Sequence, residues 1–338
     1  MEDRSERLQS VIGANLGSFG ANWTPHESSR NWRSVASSAD GSKLVAVVNG
    51  GQIFTSTDSG LSWTPRFGGA NWRSVASSAD GNKLVVGMDC CQIFTSTDSG
   101  VNWTVRTING NWRSFASSAD GSNLVAVAQG DQIYTSTDSG VSWTPRESSR
   151  LWLSVASSAD GSKLVAVVSG GQIYTSTDAG VSWTPRASSR SWQSVASSAD
   201  GSKLVAVVQS GLIYISTDSG VSWTPRDSSR SWQSVASSAD GSKLVAVVQS
   251  GQIYISTDSG VSWTPRESSR EWGAVASSAD GSKLVAVEQN GLIYTSTNNT
   301  TAGIAGSLSG GQSTAIELQF IGNGQFMPLS YVGFPVVR

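Results

Sequence analysis

The sequence predicts an all-β protein, a seven-bladed β-propeller, and three observations lead to that prediction. A tryptophan recurs every 40 residues from Trp32 to Trp272 without an insertion, and a second series with the same spacing runs from Trp23 to Trp263. Between these tryptophans, short β-branched or alternating runs are separated by Asp-Gly and Ser-Gly turns, which is typical of short strands. Strand-rich repeats of about 40 to 45 residues are typical of propeller blades.

The unit at 192–230 shows how each strand is predicted. WQSVASS is a strand of small residues, and an ADGS turn separates it from the β-branched run KLVAVV. LIYIST alternates apolar and polar residues, and after a TDSG turn VSWTPR forms the fourth strand. Such a meander cannot bury both faces alone, so we expect the sheets to pack around an axis, with the VASS strand innermost. A β-solenoid is the alternative, although its coils are usually shorter than 40 residues.

The repeat is incomplete at its C-terminal end. After GLIYTST at 291–297 the expected aspartate and tryptophan are missing, whereas GANWTPHESSR at 20–30 matches the missing fourth strand. We therefore expect the N-terminal strand to complete the last blade and close the ring. The predicted organisation is an N-terminal extension at 1–19, the propeller at 20–302, and a linker with a C-terminal β-hairpin at 303–338.

The turn S-x-D-x-G-x-S-W, as in 56–63, recurs in six units, with Asn102 in place of the second serine in one of them. It resembles the Asp-box of the BNR repeat family, which includes sialidases and photosystem II assembly factors of the Ycf48 type. At such a corner an aspartate accepts hydrogen bonds from turn amides, a glycine takes the left-handed conformation, and a tryptophan fixes the hairpin. We therefore expect a structural role for Asp58, Asp98, Asp138, Asp178, Asp218, Asp258, Trp63, Trp103, Trp143, Trp183, Trp223 and Trp263.

The sequence favours a protein that is not an enzyme. The related sialidases use unique catalytic residues, whereas the tyrosines here occupy one repeated strand position that Phe54 and Phe94 also occupy. The single histidine, His26, stands where other units carry arginine. No nucleophile, base and orienting group are recognisable together, so we predict no catalytic residue and no cofactor. No further cysteine and no nearby histidine is available to complete a metal site with Cys90 and Cys91, so no metal site is predicted.

A comparison of the units with each other indicates a candidate binding face. The first and third links of each unit are almost constant, whereas the second link and the link between units vary. In a meander the two varying links lie on one face, which we call the variable face, and the opposite one is the constant face. Varied loops on a constant scaffold often bind partners. Drift of surface loops after duplication is the alternative interpretation.

The variable face is rich in arginine, whereas aspartates outnumber lysines on the constant face. This distribution favours an anionic partner. We therefore predict a non-catalytic scaffold that recognises a glycan or an acidic protein through the variable face. The alternative is that many arginines pair with acids of their own chain. The predicted ligand contacts are Arg66, Arg146, Arg150, Arg186, Arg190, Arg226, Arg230, Arg266 and Arg270.

The C-terminal segment supports a second hypothesis for function. Two alternating strands flank Gly322-Asn323-Gly324, and an isolated hairpin is only marginally stable in water. The chain could therefore be a structural component of a surface layer, fibre or virus particle that self-assembles through 303–338.

A net charge of −2 gives no general attraction to nucleic acid, and no stretch is long and apolar enough to span a membrane. No signal-peptide core is visible, while the composition weakly favours an extracellular or particle-associated location.

Overall fold

The computed structural model describes residues 19–297 and four strands at 308–309, 315–322, 325–332 and 336–337. The N-terminal extension up to residue 18 and most of the predicted linker lie outside the described residues. Every regular element in the described part of the chain is a β-strand, so the all-β prediction is confirmed. One compact unit spans Phe19–Thr297. Phe19, which the prediction assigned to the N-terminal extension, is buried in this unit.

The unit Phe19–Thr297 consists of β-strands joined by short turns, and neighbouring strands of a sheet pair antiparallel. Their bounds are β1 Thr24–Ser37, β2 Leu44–Ser56, β3 Thr64–Ser77, β4 Leu84–Met88, β5 Gln92–Ser96, β6 Thr104–Asn109, β7 Trp112–Ser117, β8 Leu124–Asp131, β9 Ile133–Ser136, β10 Thr144–Pro145, β11 Arg150–Ser157, β12 Leu164–Gly171, β13 Ile173–Ser176, β14 Thr184–Pro185, β15 Arg190–Ser197, β16 Leu204–Ser216, β17 Thr224–Ser237, β18 Leu244–Val248, β19 Gly251–Ser256, β20 Thr264–Arg270, β21 Trp272–Ser277 and β22 Lys283–Thr297.

Several strands are longer than the sequence predicts, because the varying links are themselves extended. β17, for example, has 14 residues and runs from the fourth strand of one unit into the first strand of the next. Gly211 in the second link lies opposite Arg230 in the link between units, and Gly51 lies opposite Ala70 in the same way. The two varying links of a unit therefore pair with each other and lie on the same face.

Within a unit the strands pair antiparallel in chain order. Val235 lies opposite Ala246 and Val245 opposite Ile255 in one such sheet. In every unit the register slips at the residue after the first tryptophan. A β-bulge leaves this residue out of the ladder and redirects its side chain. The seven bulged positions are Arg33, Arg73, Arg113, Leu153, Gln193, Gln233 and Gly273.

The core lies between neighbouring sheets. Trp232 is fully buried, and its ring meets Tyr254 edge to face with the centroids 5.2 Å apart. In the same cluster it packs with Val207 and Ile213, which belong to the preceding sheet. A buried tryptophan removes about 200 Å² or more from water, which contributes several kcal/mol. The tryptophan repeat therefore stabilises the contact between one unit and the next.

Backbone hydrogen bonds join the first turns of neighbouring units. The amide of Ala39 donates to the carbonyl of Ala79 at 2.8 Å, and each equivalent alanine makes the same contact with the alanine 40 residues further on. Ala279 donates to Ala39 at 2.7 Å, which returns the series to its start. The amide of Val75 donates to Ser34 Oγ of the preceding unit at 3.3 Å. The first strands therefore contact one another directly and lie innermost.

The chain is also joined between its two ends. β1 pairs antiparallel with β22, and Thr24 lies opposite Thr295. The C-terminal region, considered by itself, holds four further strands. β24, Ala315–Gly322, pairs antiparallel with β25, Gln325–Val332, while β23, Leu308–Ser309, pairs with β26, Val336–Val337.

Candidate interaction site on the variable face

Six turns of the constant face contain the aspartate of the S-x-D-x-G motif, and we call them the acidic turns. Hydrogen bonds to and from side chains within each turn hold its backbone. In the turn at 216–223, Ser222 donates to Asp218 Oδ1 from its amide at 2.9 Å and to Oδ2 from its hydroxyl at 2.6 Å. The amide of Gly220, whose φ is 85°, donates to Ser216 Oγ at 2.9 Å. The indole of Trp223 donates to the carbonyl of Gly220 at 3.0 Å. Each of these groups holds the backbone of the turn in place.

The ADGS turns use the same arrangement, which the sequence analysis did not anticipate. Ser198 Oγ donates to Asp200 Oδ1 at 2.6 Å, and Ser202 donates to Asp200 from its amide at 3.0 Å and its hydroxyl at 2.7 Å. These hydrogen bonds favour the ionised carboxylate. They lower the pKa of Asp200 well below its ordinary value, and the equivalent bonds lower the pKa of Asp218 to about 2. The repeated aspartates of the constant face are therefore engaged in turn structure.

The arginines of the variable face fall into three groups. The first group lies on the fourth strands and contacts the third strand. Arg66 Nε donates to Thr55 Oγ1 at 2.8 Å, and Arg186 Nε donates to Thr175 Oγ1 at 3.1 Å. Arg106 and Arg146 make the same bond. These hydrogen bonds tie the outermost strand of each sheet to its neighbour.

Two units lack this threonine. Ile215 and Ile255 replace it, and the buried Nε of Arg226 has no acceptor in the described part of the chain. Arg266 has an interaction partner within the protein. Arg226 and Arg266 therefore belong to the first group by position, although their surroundings differ.

The second group stacks on aromatic rings in the link between units. The guanidinium carbon of Arg150 lies 4.8 Å from the centroid of Tyr174, and Arg230 lies 4.4 Å from that of Tyr254. Arg30 and Arg270 lie on Phe54 and Tyr294 in the same way. Each of these four also pairs with an acid three residues before it, at 3.5 to 3.7 Å. Their charge is thus largely compensated within the chain.

Arg190 belongs to the same group by position and differs in its partners. Its guanidinium lies 4.9 Å from the centroid of Tyr214. The residue three places before it is Ala187, so it has no acid of its own, and no ion pair involves Arg190 within residues 19–297. Arg190 is exposed, whereas Arg150, Arg230 and Arg270 are only about a third exposed.

The third group consists of Arg33, Arg73 and Arg113, which we call the inner arginines. They occupy the bulged positions of three successive first strands, so the innermost strands bring them together. Arg113 pairs with Asp89 at 3.4 Å and bonds to Gln129, and both partners lie in second links of the variable face. Gln193 and Gln233, at the equivalent positions further round, are 3.5 Å apart, which shows that these side chains meet their neighbours.

The electrostatics of the inner arginines are unusual. Burial, reinforced by the nearby charges of Arg113 and Arg33, lowers the pKa of Arg73 to about 10, and Asp89 opposes this only in part. The Nε atoms of Arg33 and Arg113 are buried and have no acceptor in the described part of the chain. Desolvated cations are costly unless their hydrogen-bonding groups are satisfied. The three side chains therefore form a place where an anion would be stabilised.

That the nine arginines of the sequence analysis contact a ligand stays a prediction. They are distributed one or two to a unit, and most have the internal partners described above. The inner arginines were not among them. A signal was present in the sequence, since the residue after the first tryptophan is the most variable position of the first strand. The bulge that turns this residue inward could not be read from the pattern.

The remaining candidates have modest roles. His26 lies at the start of the closing strand, where its Nε2 is 2.8 Å from Thr295 Oγ1. Cys90 and Cys91 are free thiols, and no cluster of metal-ligating side chains occurs among the described residues. The described elements include no helix that could cross a membrane.

No family model and no curated protein sequence matches the chain. Solved structures do resemble it. YCF48 bound to D1 peptide superimposes with a TM-score of 0.66 at 17% identity, covering 83% of this chain and 98% of that one. The β-propeller domain of Myceliophteria thermophila Cps50 (Swd1) gives 0.67 at 16% identity, with coverages of 82% and 99%. The GH74 enzyme of Niastella koreensis gives 0.59 at 23% identity and covers 81% of this chain but 44% of that enzyme.

These likenesses establish the fold alone. The chain has a β-propeller fold, as the 40-residue repeat predicts. Propellers serve both binding and catalysis, so the fold does not decide the function.

Proposed function

We propose that this chain is a seven-bladed Asp-box propeller closed by its N-terminal strand, acting as a non-catalytic scaffold that binds an acidic protein segment. Support for the blade count comes from the series of alanine hydrogen bonds that returns from Ala279 to Ala39. Support for the closure comes from the pairing of β1 with β22. Support for the Asp-box assignment comes from the bonds that Asp218 accepts in its turn.

The observation that carries the binding proposal is the desolvated cluster of inner arginines. Burial and the neighbouring charges of Arg113 and Arg33 lower the pKa of Arg73, and the carboxylate of Asp89 pairs with Arg113. An incoming carboxylate would supply hydrogen-bond acceptors and offset the repulsion, and arginine recognises carboxylates in a bidentate manner. The binding site that we propose is therefore Arg33, Arg73 and Arg113, with Gln193 and Gln233 as further donors.

An acidic protein segment fits this site better than a glycan does. The large exposed hydrophobic side chains of the described part are leucines and valines, so the face offers no broad aromatic platform. The similar structure of YCF48 holds a D1 peptide, which is a property of that protein and is consistent with a peptide ligand here. We therefore place the glycan hypothesis second.

The proposal that the chain is not an enzyme rests on how its acids are used. The repeated aspartates of both constant links accept hydrogen bonds within their own turns, and Glu147, Asp227 and Glu267 pair with arginines. The test is incubation of the purified protein with a sialoside and a panel of β-glucans. Turnover of any of them above a heat-treated control would overturn this part of the proposal.

The binding proposal is tested with a fluorescein-labelled decapeptide of alternating glutamate and glycine, and with a serine-glycine peptide as the neutral probe. The variant combines Arg33→Gln, Arg73→Gln and Arg113→Gln. The matched control combines Arg150→Gln, Arg230→Gln and Arg270→Gln, which removes the same charge from the same face. We expect the first variant to lose at least tenfold in affinity and the control to stay within threefold of the wild type.

Two outcomes would overturn the proposal. One is an equal loss in both triple variants, because this would indicate general attraction by a cationic face. The other is an absence of binding by the wild-type protein at low salt.

The assembly hypothesis stays a separate prediction, since the side chains of 303–338 lie outside the described residues. Light scattering of the full chain and of a chain ending at Thr301 tests it.

A further inference from the structure

The groove beside Arg190 lies in the one described link that has a stacked arginine but no acid three residues before it. In four other links an acid lies three residues before the stacked arginine and pairs with it, as Glu147 does with Arg150 and Glu267 with Arg270 at 3.5 Å. Here Ala187 replaces the acid. The change removes the anion and leaves the cation in place.

The arginine keeps its position because the ring beneath it is unchanged. Arg190 lies 4.9 Å from the centroid of Tyr214, and Arg150 lies 4.8 Å from that of Tyr174. The two guanidinium groups are therefore presented in the same way by their aromatic neighbours. One has its carboxylate within the chain, and the other is open to solvent.

A cavity of about 140 Å³ lies beside Arg190. Its walls include Ala187, Ser188, Trp192, Tyr214 and Trp223. A water molecule takes up about 30 Å³ in the liquid, so the cavity has room for a larger group. The fully buried Trp192 has an indole N–H with no acceptor in the described part of the chain. Trp32, Trp232 and Trp272 share that property, so the arginine and the cavity are what distinguish this groove.

We propose that the groove beside Arg190 is a carboxylate-binding site that a group from another molecule fills, in the position that an internal acid takes in the four other links. A carboxylate is the expected chemistry because all four internal occupants, Glu27, Glu147, Asp227 and Glu267, carry one. The aromatic walls suit the methylene groups of such a ligand. The site involves none of the inner arginines, so it does not rest on the function proposed above.

The structure offers a direct test, because the missing acid can be restored. Glu27 and Glu267 adopt φ angles of 62° and 54°, and Ala187 is already at 31°, so glutamate is compatible with this backbone region. Ala187→Glu should fill the groove from within and exclude a ligand. Ala187→Gln has the same shape without the charge and serves as the matched control. Arg190→Gln removes the cation.

The experiment uses the full chain with propionate and, separately, an acetylated Gly-Glu-Gly peptide amide. Binding is followed by the shift of the Trp192 indole N–H signal, which is assigned by Trp192→Phe. We expect saturable binding that Ala187→Glu and Arg190→Gln each weaken at least tenfold and that Arg150→Gln leaves unchanged. Binding of propionate indicates a site for small free carboxylates, and binding of the peptide alone indicates a site for an acidic side chain of a partner.

The proposal is overturned if neither probe binds, or if Ala187→Glu binds as well as the wild type does. Binding that survives Arg190→Gln overturns it as well, because the ligand would then lie elsewhere. The triple variant of the inner arginines should leave this site unchanged. Failure here and failure of the proposed function can therefore be told apart.

Discussion

His26 Nε2 lies 2.8 Å from Thr295 Oγ1, and this contact joins two residues that are 269 positions apart in the chain. In other units an arginine makes the equivalent contact, as Arg66 does with Thr55. The segment around His26 therefore takes the place of a fourth strand beside β22. A group that can titrate near neutral pH thus stands at the junction where an arginine stands elsewhere.

The pairing of β1 with β22 around His26 should weaken in mild acid. Burial lowers the pKa of His26 below its ordinary value, with Asp58 acting weakly in the opposite sense. The histidine is protonated more readily in the unfolded chain, so its stabilising effect is complete above about pH 6.5 and is lost as the pH falls through the folded-state pKa. We expect faster hydrogen exchange at the amides of Thr24 and His26 at pH 5 than at pH 7.5, after correction for the intrinsic rate.

The control is His26→Arg, which restores the residue of the other units. Because arginine stays charged throughout this range, the difference between pH 5 and pH 7.5 should disappear. An unchanged pH dependence in this variant would mean that another group is responsible. The chain has a single histidine, so its titration can also be followed directly by NMR.

The acidic turns should stabilise the protein through their carboxylates. Asp218→Ala removes the acceptor of the Ser222 amide and hydroxyl, and we expect a loss of about 1–2 kcal/mol in the free energy of unfolding. Asp218→Asn keeps one oxygen and should lose less. Urea denaturation measures both. Equal stability of the alanine variant and the wild type would contradict the structural role.

The same turns predict resistance to acid. Hydrogen bonds from Ser222 lower the pKa of Asp218 to about 2, and those from Ser142 do the same for Asp138. A lowered carboxyl pKa stabilises the fold above the unfolded value of about 3.9, and the effect is lost as the pH falls through about 2. In the His26→Arg variant, which removes the histidine titration, we expect a nearly constant melting temperature down to about pH 4.5 and a steep fall between pH 4 and 2. A fall that begins above pH 5 would point to other groups.

The threonine–arginine contacts should couple the third and fourth strands. Arg186 Nε lies 3.1 Å from Thr175 Oγ1, and Thr175→Val leaves the guanidinium without this acceptor. A double-mutant cycle with Arg186→Gln should give a coupling of about 1 kcal/mol in the free energy of unfolding. The matched cycle is Ile215→Val with Arg226→Gln, where no such bond exists and we expect no polar coupling. Similar coupling in both cycles would contradict the interpretation.

Much of the architecture was predictable because each signal is local and repeated. The sequence itself shows the 40-residue tryptophan spacing, the turn residues and the match of 20–30 to a fourth strand. Side-chain geometry was less predictable. The aspartates of the ADGS turns form bonds like those of the acidic turns, yet the residue pattern marked Asp200 only as part of a turn and predicted no role for it.

The residue pattern indicated the face of the proposed site but not the residues that we propose for it. Arginine content indicated the variable face, but composition does not show which guanidinium groups already have a partner. Arg150 is neutralised by Glu147, whereas Arg73 lies among cations. Arg150 lies three residues after its acid, whereas Arg73 stands at the bulged position of its first strand. Such a shift of register leaves no mark in residue spacing.

The hydrogen bond from Ala279 back to Ala39 makes the arrangement cyclic although the polypeptide is linear. In a cycle no unit is first or last, and the place where synthesis begins carries no geometric meaning. Linking 297 to 19 through a short connection and opening the chain within the turn at 136–143 would rotate the order of the units, while Phe19 and Trp23 keep their places in the core. For the same reason, a gene that encodes such repeats can begin at any point within the repeat and still encode the same fold.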